Sequence, residues 1–409
     1  MKKILIIDGN YFANRCLGIL NQGSLQNHLV HENERRIFSE ALKVQLIKLW
    51  EAFEPYFDNF VFVSDGRSWR KKLTYKPYYI SQTDVDSGET IITYKGQRQK
   101  HKESSDIDYE AFYDLYGKFI TDLSEKSDNV FNTEFLEGDD IIALLTEKFK
   151  NQNNIQLCIF ATDKDLYQLV SDNVFIFRCI RSKEHPDGSF VFHPALYLQE
   201  FRDDENPMTM LLPNHRSNVK SLMNINIFDQ GNPSYRVLNK GIELAGKLQI
   251  ILTKIVCGDK SDNILPLLRW KSKTGNINYS CTEKHLKEAI IKCGISNVDE
   301  AAYLKILKSE TEDGMFFMQF LSKLLIVTKQ DVNPVNDLIN HYKHNKRLVL
   351  LRSDYLPQEE VEVFNDIFDN QKLIFEHKTS ISELKNILGL DNVQMNDAVS
   401  EMFKKSLNL

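Results

Sequence analysis

The sequence predicts an α/β fold built on a doubly wound, mostly parallel sheet, and three observations support this prediction. Short apolar runs occur at 3–8, 59–66 and 155–163, and each of them ends in or next to an aspartate, whereas a fourth run, 174–177, does not. Stretches with helical periodicity separate the runs, at 37–54, 108–123, 139–150 and 165–170. Alternating buried strands and helices are typical of a parallel sheet that is covered on both faces.

Composition and charge exclude several classes of protein. The chain has 409 residues, of which 42% are hydrophobic and 26% charged, as in an ordinary globular protein rather than a disordered one. A net charge of -6 argues against a protein that is basic over its whole surface. Two segments are nevertheless locally basic. The first segment contains Arg67, Arg70, Lys71, Lys72 and Lys76, and the second contains Lys95, Arg98, Lys100 and Lys102.

Cysteine spacing and hydropathy give expectations about the compartment. The six cysteines include no C-x-x-C pair, so they predict small buried residues in a reducing compartment rather than a zinc site. The apolar run after Lys3 ends at Asp8, which is too short for a signal peptide, and no stretch reaches membrane-spanning length. We therefore expect a cytoplasmic protein with no membrane partner.

Outside these strands and helices, the sequence predicts an arm, a hairpin and a series of helices. Residues 66–106 are polar, basic and rich in tyrosine, and this length favours a functional arm or lid over a plain loop. Turn signals predict a short β-hairpin near 176–193 and an exposed turn at 83–89. Helical periodicity then resumes, at 241–256, 283–293, 299–309, 313–328 and 334–343, and continues toward the C-terminus.

Acidic residues follow the predicted strands and begin the helix at 139–150. Ligands of doubly wound sheets bind beyond the carboxyl ends of the strands, where these acids would gather. Carboxylates brought together repel one another unless a cation compensates, and sites with oxygen ligands alone select Mg²⁺ or Mn²⁺. Two such ions can promote phosphodiester hydrolysis. Each acid of the predicted α/β domain could singly be a turn residue or a helix cap instead, and Asp259 and Asp262 could be a solvated i, i+3 pair at a loop. The candidates are Asp8, Asp65, Glu137, Asp139, Asp140, Asp163, Asp165, Asp259 and Asp262.

Five spaced motifs within residues 1–330 resemble the flap endonuclease and 5′-exonuclease superfamily, whose nuclease domain is PIN-like. In chain order they are Ile7-Asp8-Gly9, Val63-Ser64-Asp65, Glu137-Gly138-Asp139-Asp140, Thr162-Asp163-Lys164-Asp165 and Gly258-Asp259-Lys260-Ser261-Asp262-Asn263. Within that superfamily the chain is most similar to the ribonuclease H branch of T-even phages. That similarity depends on Trp69-Arg70, on Tyr94-Lys95-Gly96-Gln97-Arg98 and on a helical C-terminal tail.

The resemblance implies a centre for two Mg²⁺ ions, with Mn²⁺ able to substitute. It implies that a first ion would use Asp8, Asp65, Asp139, Asp140 and Asp163, directly or through water. It implies that a second ion would use Asp165, Asp259 and Asp262, while Glu137 would orient ligands or waters.

The resemblance also implies a basic arch that contacts the scissile phosphate. Arg70 fits one such role, Lys95 with Arg98 fits another, and Lys76 remains an alternative to Lys95. Positioned cations are suited to this task because they stabilise charge that develops on the phosphate, although a solvated basic loop is the simpler alternative. The nucleic-acid-binding candidates are Lys71, Lys72, Tyr94, Arg269, Lys271, Lys273 and Lys284.

One departure from the family pattern concerns the segment after Asn263. Relatives carry a glycine-rich turn there that grips duplex phosphates, whereas here the turn is missing or displaced. The duplex grip would then depend on basic side chains such as Lys271 and Lys273. The sequence does not decide whether this turn binds a potassium ion.

The expected architecture has three parts. Residues 1–200 would form the PIN-like α/β nuclease domain with a helical arch at 66–106. Residues 201–345 would form a helical, duplex-binding region of the helix-turn-helix type, which completes the metal site through Asp259 and Asp262. Residues 346–409 would form a helical C-terminal tail.

The expected function is a metal-dependent, structure-selective 5′-3′ exonuclease and flap endonuclease with ribonuclease H activity. Its substrates would be 5′-flap DNA and RNA/DNA hybrid duplex, its role RNA primer removal in phage replication, and its location the host cytoplasm. We expect a monomer; residues 380–409 could dock a sliding clamp or a single-strand-binding protein, or pack against the body. Two alternatives remain: a PIN-type endoribonuclease acting on single-stranded RNA, and a non-catalytic flap-binding protein.

Overall fold

The computed structural model describes most of the chain. The described residues are 2–21, 27–55, 57–80, 83, 93–149, 152, 154–171, 173–183, 190–197, 209–211, 247–271, 277–279, 281–330, 335–371 and 375–390. The exposed turn predicted at 83–89 falls, apart from residue 83, outside this set.

The chain divides into two compact units, which we call the sheet unit and the helical unit. The sheet unit contains residues 1–67, 105–242 and 352–409, and the helical unit contains residues 68–104 and 243–351. These boundaries differ from those predicted from the sequence. Most of the predicted arch groups with the helices that follow residue 243, and the predicted C-terminal tail groups with the sheet.

The sheet unit contains seven strands in the order β3-β2-β1-β4-β5-β6-β7. The first five strands in this order are parallel, and β6 and β7 add antiparallel pairs. The prediction of a mostly parallel α/β sheet is therefore confirmed, as is the hairpin, which β5 and β6 form. The bounds are β1 Lys2–Asp8, β2 Asn59–Val63, β3 Val130–Phe131, β4 Ile155–Phe160, β5 Val174–Lys183, β6 Phe190–Tyr197 and β7 Thr209–Leu211.

Twelve α-helices lie in the described part of the chain. In chain order they are α1 Gly9–Leu20, α2 Glu32–Phe53, α3 Gly96–Glu103, α4 Tyr109–Ser124, α5 Gly138–Phe149, α6 Lys247–Cys257, α7 Glu283–Lys292, α8 Glu300–Glu312, α9 Gly314–Thr328, α10 Val335–Val349, α11 Gln358–Gln371 and α12 Ile381–Leu388. Helix α1 was not expected, because Asp8-Gly9-Asn10 is typical of a turn. Helices α3 and α6–α10 belong to the helical unit.

A large apolar core covers one face of the sheet. Alternate residues of the central strands, including Leu5, Ile7 and Phe62, pack against helices α1, α2 and α4. Helix α5 packs on β1, β2 and β4 and is buried along most of its length. Apolar residues removed from water on this scale are the main source of stability of such a unit.

The end of the described chain packs on this same core. Leu384 and Leu388 of α12 are buried against it. The Trp50 indole N–H donates to the Thr379 carbonyl at 3.1 Å, and the Thr379 hydroxyl donates to the Asn59 side chain at 2.5 Å. Residues 381–388 thus agree with the packing interpretation of the tail, whereas 391–409 lie outside the described residues.

The helical unit contains α3, α6–α10 and a short hairpin. The hairpin strands β8, Arg269–Lys271, and β9, Ile277–Tyr279, pair in antiparallel fashion. This hairpin lies in the segment after Asn263, where the glycine-rich turn of the family pattern is missing or displaced in the sequence. In the described part of the chain, no helix is long and apolar enough to cross a membrane.

Candidate metal centre

Three aspartates stand next to one another at the carboxyl edge of the parallel sheet. Asp8 ends β1, Asp65 lies two residues beyond β2, and Asp163 lies three residues beyond β4. Strands β2, β1 and β4 are neighbours in the sheet, and their registers pair Asp8 with Val63 and Ile7 with Phe160. The topology therefore brings together three acids that the chain separates widely, as the sequence predicted.

Asp8 lies at the centre of this row and begins helix α1. Its Oδ1 accepts a hydrogen bond from the Tyr11 backbone N–H at 3.0 Å, so it caps the helix. Burial, followed by the charges of Asp65 and then Asp163, raises the pKa of Asp8 to about 7, even though its backbone hydrogen bonds oppose the shift. The raised pKa records negative charge that the protein itself does not neutralise.

Asp65 is held by one backbone and one side-chain donor. The Gly138 N–H donates to Asp65 Oδ1 at 2.5 Å, and the Asn10 side-chain amide donates to Oδ2. A β-carbon on Gly138 would lie 2.6 Å from Asp65 Oδ1, so only glycine allows this approach. Asn10 was not predicted; its place directly after Asp8-Gly9 was the only signal, and it is typical of a turn residue.

The three acids of the third motif, Glu137, Asp139 and Asp140, lie at the start of helix α5. Asp140 is fully buried, and its Oδ2 accepts from the Glu137 N–H at 3.2 Å, which makes it a cap of the first turn. Glu137 is buried as well, and Asp139 is half-buried. The helix-cap interpretation thus holds for Asp140 in this structure, and a cap can still present its second oxygen to an ion.

Asp163 and Asp165 lie around a short 3-10 turn, Lys164–Leu169, after β4. The Asp165 N–H donates to Asp163 Oδ1 at 2.9 Å, so Asp163 caps this turn. Both side chains are half-buried. Their predicted roles as ligands of separate ions stay predictions.

The donor chemistry of the sheet unit fits a hard divalent cation. All candidate donors are carboxylate oxygens, and the repulsion felt by Asp8 is what a cation would relieve. Among the described residues, however, no three histidine, cysteine, aspartate or glutamate side chains are placed so that they could hold one ion. Binding would require carboxylates such as Asp65 to turn from their present donors toward the ion.

The loop at Gly258–Asn263 carries the fifth motif, within the helical unit. The Lys254 ammonium lies 2.6 Å from Asp259 Oδ2 and 3.8 Å from Asp262 Oδ2. Arg98 Nη2 donates to Asp262 Oδ1 at 2.5 Å. Burial raises the pKa of Asp259, but the hydrogen bonds from Lys254 and Ser261 lower it by more. The pKa of Asp259 therefore lies below its usual value.

The predicted arch cations of the helical unit differ in exposure. Arg70 is 1% exposed; its Nε–H donates to the Leu348 carbonyl at 3.0 Å, and its guanidinium lies 4.8 Å from the Trp69 ring centroid. Lys95 is half-buried, with its ammonium 4.9 Å from the Tyr94 ring centroid. By contrast, the side chains of Lys71, Lys72, Lys76 and Arg98 are exposed.

The predicted duplex-binding cations also lie in the helical unit. Arg269 and Lys271 belong to strand β8, and Lys284 is exposed in the first turn of α7. Lys273 lies outside the described residues. Lys254 was missed by the sequence analysis, because a single lysine in an apolar helix gives no signal of a contact with two acids further along the chain.

Comparisons with known proteins relate the first half of the chain to one family. Residues 3–196 match the family described as 5′-3′ exonuclease, N-terminal resolvase-like domain. A 5′-3′ exonuclease of Mycoplasmopsis pulmonis (strain UAB CTIP) is 28% identical over 175 residues, which are 43% of this chain and 48% of that protein. The match thus spans about half the length of that curated relative.

Two solved structures of bacteriophage T5 proteins are similar in outline. A T5 flap endonuclease, in a pseudo-enzyme–product complex with DNA and metal ions, has a TM-score of 0.41 at 14% identity and covers 92% of this chain and 100% of its own. A T5 5′-exonuclease with bound zinc ions has a TM-score of 0.38 at 15% identity and covers 90% and 100%.

The sheet unit is thus an α/β domain with acids along the carboxyl edge of its parallel strands. Residues 3–196 are similar to the N-terminal domain of 5′-3′ exonucleases.

Proposed function

We propose that this protein is a divalent-metal-dependent, structure-selective 5′-3′ exonuclease and flap endonuclease. The observation that carries the proposal is the row of Asp65, Asp8 and Asp163 at the carboxyl ends of neighbouring parallel strands, where burial and the neighbouring charges raise the pKa of Asp8 to about 7. Such a row of carboxylates is costly to a protein that has no cation to place there. The match of residues 3–196 to the 5′-3′ exonuclease N-terminal domain family supports the same conclusion.

The residues of the sheet unit would hold a first ion, and Mg²⁺ is proposed because every donor is a carboxylate oxygen. When bound, the ion would supply charge stabilisation to the phosphate and favour attack by water. Asp8, Asp65, Asp139, Asp140 and Asp163 would hold it, while the Glu137 carboxylate would orient ligands. We propose that Asp165, Asp259 and Asp262 serve a second ion and that Mn²⁺ can replace Mg²⁺.

The proposed substrates are 5′-flap DNA and the RNA strand of an RNA/DNA hybrid. Arg70 would contact the scissile phosphate in one role and Lys95 with Arg98 in another, with Lys76 as the alternative to Lys95. Exposed Lys71 and Lys72 would bind the strand. Tyr94 is less available for stacking on a base, because it is buried beside the Lys95 ammonium. On the resemblance stated above, we also propose ribonuclease H activity, a role in primer removal during replication and a phage origin. The proposed protein partner is a clamp or a single-strand-binding protein.

Cleavage of labelled substrates tests this proposal. A 5′-labelled flap and a nicked RNA/DNA hybrid would be incubated with Mg²⁺ or with EDTA, using the wild type and the variants Asp8→Asn and Asp139→Asn. We expect short 5′ products from the wild type with Mg²⁺ only, and a loss of at least ~100-fold in both variants, because each would remove a charge that holds the ion. Asp122→Asn, an exposed aspartate of α4, is the matched control and should cleave normally.

The same assay separates the alternatives. Cleavage of single-stranded RNA in preference to either duplex substrate would favour a PIN-type endoribonuclease. Binding of the flap without cleavage, in every metal tested, would favour a non-catalytic flap-binding protein and would contradict the proposal.

A further inference from the structure

We infer that the Lys254 ammonium is an internal counter-ion of the Asp259–Asp262 pair, and that a divalent ion bound by this pair competes with it. The inference rests on the proposed function, because it takes both aspartates as ligands of a divalent ion. Lys254 would then be a positioning residue that sets how tightly the pair holds its ion.

The Lys254 ammonium contacts both aspartates. Lys254 belongs to the last turn of α6, and its side chain is 17% exposed. Its ammonium reaches carboxylate oxygens of both aspartates, at 2.6 Å and 3.8 Å. The ammonium therefore lies where the two carboxylates would bind a cation. Because these groups are partly buried, solvent and salt only partly screen the attraction between the ammonium and the carboxylates.

The backbone, and not Lys254, sets the shape of the loop. The N–H groups of Asp259 and Ile264 each donate to the other's carbonyl at 2.8 Å, so the loop is closed at its ends. Gly258 has a φ of +77°, and a β-carbon there would lie 2.5 Å from the Ile264 carbonyl oxygen. Removing the Lys254 ammonium should therefore leave the two aspartates where they are.

Lys254 and Arg98, the other cation at this loop, contact different oxygens of the aspartates. Arg98 Nη2 contacts the opposite oxygen, Oδ1, of Asp262, and Asp259 Oδ1 accepts from the Ser261 N–H and hydroxyl at 2.8 Å and 2.6 Å. The Oδ2 atoms of the two aspartates are the ones that face a shared cation, and the Lys254 ammonium lies there. Lys254 is thus the group that an incoming ion would displace.

Opposite effects on binding and on stability follow. Without the ammonium, the pair would bind a divalent ion more tightly, because no charge has to be displaced. In the absence of metal the same change would destabilise the helical unit, because two neighbouring carboxylates would lose their counter-ion. A purely structural role would instead weaken binding and stability together.

Metal binding to the full-length protein tests the inference without relying on cleavage. Mn²⁺ binding would be titrated by electron paramagnetic resonance in an Asp139→Asn background, which weakens the first site. We expect Lys254→Met to lower the dissociation constant for Mn²⁺ roughly tenfold, a change that the loss of one nearby charge can produce. Lys254→Arg keeps the charge and should bind within about twofold of the background protein.

Two controls complete the experiment. Lys308→Met removes a lysine that pairs with Glu312 on α8 and should leave Mn²⁺ binding unchanged. Adding Asp259→Asn and Asp262→Asn to Lys254→Met should abolish the tighter binding. The melting temperature in EDTA should fall for Lys254→Met, and the rise caused by Mn²⁺ should be larger than in the background protein.

The outcome that overturns the inference is Mn²⁺ binding by Lys254→Met that is unchanged or weaker, or equally tightened by Lys308→Met. Failure of the proposed function would look different. It would be the absence of Mg²⁺-dependent cleavage by the wild type, whatever the Lys254 variants bind.

Discussion

The Gly138 backbone N–H makes a close contact with the row of aspartates, at 2.5 Å from Asp65 Oδ1. Alanine in a first helical turn normally stabilises a helix relative to glycine by about 0.5–1 kcal/mol. Here the new β-carbon would lie 2.6 Å from Asp65 Oδ1, so either the carboxylate or the start of α5 must move. We expect Gly138→Ala to lower the cleavage rate at least ~10-fold, since small displacements of ion-binding groups are costly to catalysis.

The matched control for this change is Gly117→Ala, in the middle of α4. A β-carbon at Gly117 would meet no atom within 4 Å, so this variant should cleave normally and gain about 0.5–1 kcal/mol of unfolding free energy. Urea unfolding and the cleavage assay would be run on both variants. Normal cleavage by Gly138→Ala would mean that the contact with Asp65 does not set the position of the carboxylate.

The segment that follows Ser68 shows how an element of the predicted arch is built. Arg70 is buried against Trp69 and the Leu348 carbonyl, and the Tyr79 hydroxyl donates to the Pro266 carbonyl at 2.5 Å. We expect Arg70→Lys to lower the unfolding free energy of the helical unit by ~2 kcal/mol, because lysine keeps the charge but loses the planar stack and the directed hydrogen bond. Thermal unfolding measures this loss.

The same variant tests the role in phosphate binding that the family resemblance implies for Arg70. If Arg70 also contacts the scissile phosphate, Arg70→Lys would slow cleavage at a temperature where the variant is still fully folded, whereas normal cleavage there would limit Arg70 to a structural role. Lys71→Ala, at the exposed neighbouring position, should change the unfolding free energy by no more than about 0.5 kcal/mol. The sequence could not separate these two cations, because burial within a run of basic residues depends on which side faces Trp69.

At the scale of the whole molecule, the sequence predicted the sheet well and the contacts of individual side chains poorly. Apolar runs that end in acids were enough to place β1, β2 and β4, since a short, continuous apolar run is typical of a parallel strand buried on both faces. Helix α1 was missed because Gly9 is typical of a turn, whereas a β-carbon there would lie 2.5 Å from the Phe62 ring and 2.6 Å from the Val63 carbonyl oxygen. Close packing, which no local pattern records, decided that element.

The charge of the aspartate row should also set how the stability of the sheet unit depends on pH. In the folded protein the pKa of Asp8 is about 7, above its ordinary value of 3.8, so the native state binds more protons than the unfolded state between these values. Without metal, the free energy of unfolding should therefore fall as the pH rises from 4 to 7 and then level off. The total fall is at most roughly 4 kcal/mol, from three pKa units at 1.36 kcal/mol each.

Metal should reverse this dependence, because a bound cation favours the ionised form of Asp8. Melting curves at several pH values, with EDTA and with Mg²⁺, would measure both effects. We expect the decline between pH 4 and 7 in EDTA only, and Asp8→Asn should show a smaller decline because it lacks this titrating group. A decline of equal size in Asp8→Asn would assign the pH dependence to other carboxylates. A wild-type curve that Mg²⁺ leaves unchanged would mean that the row does not bind the ion under these conditions.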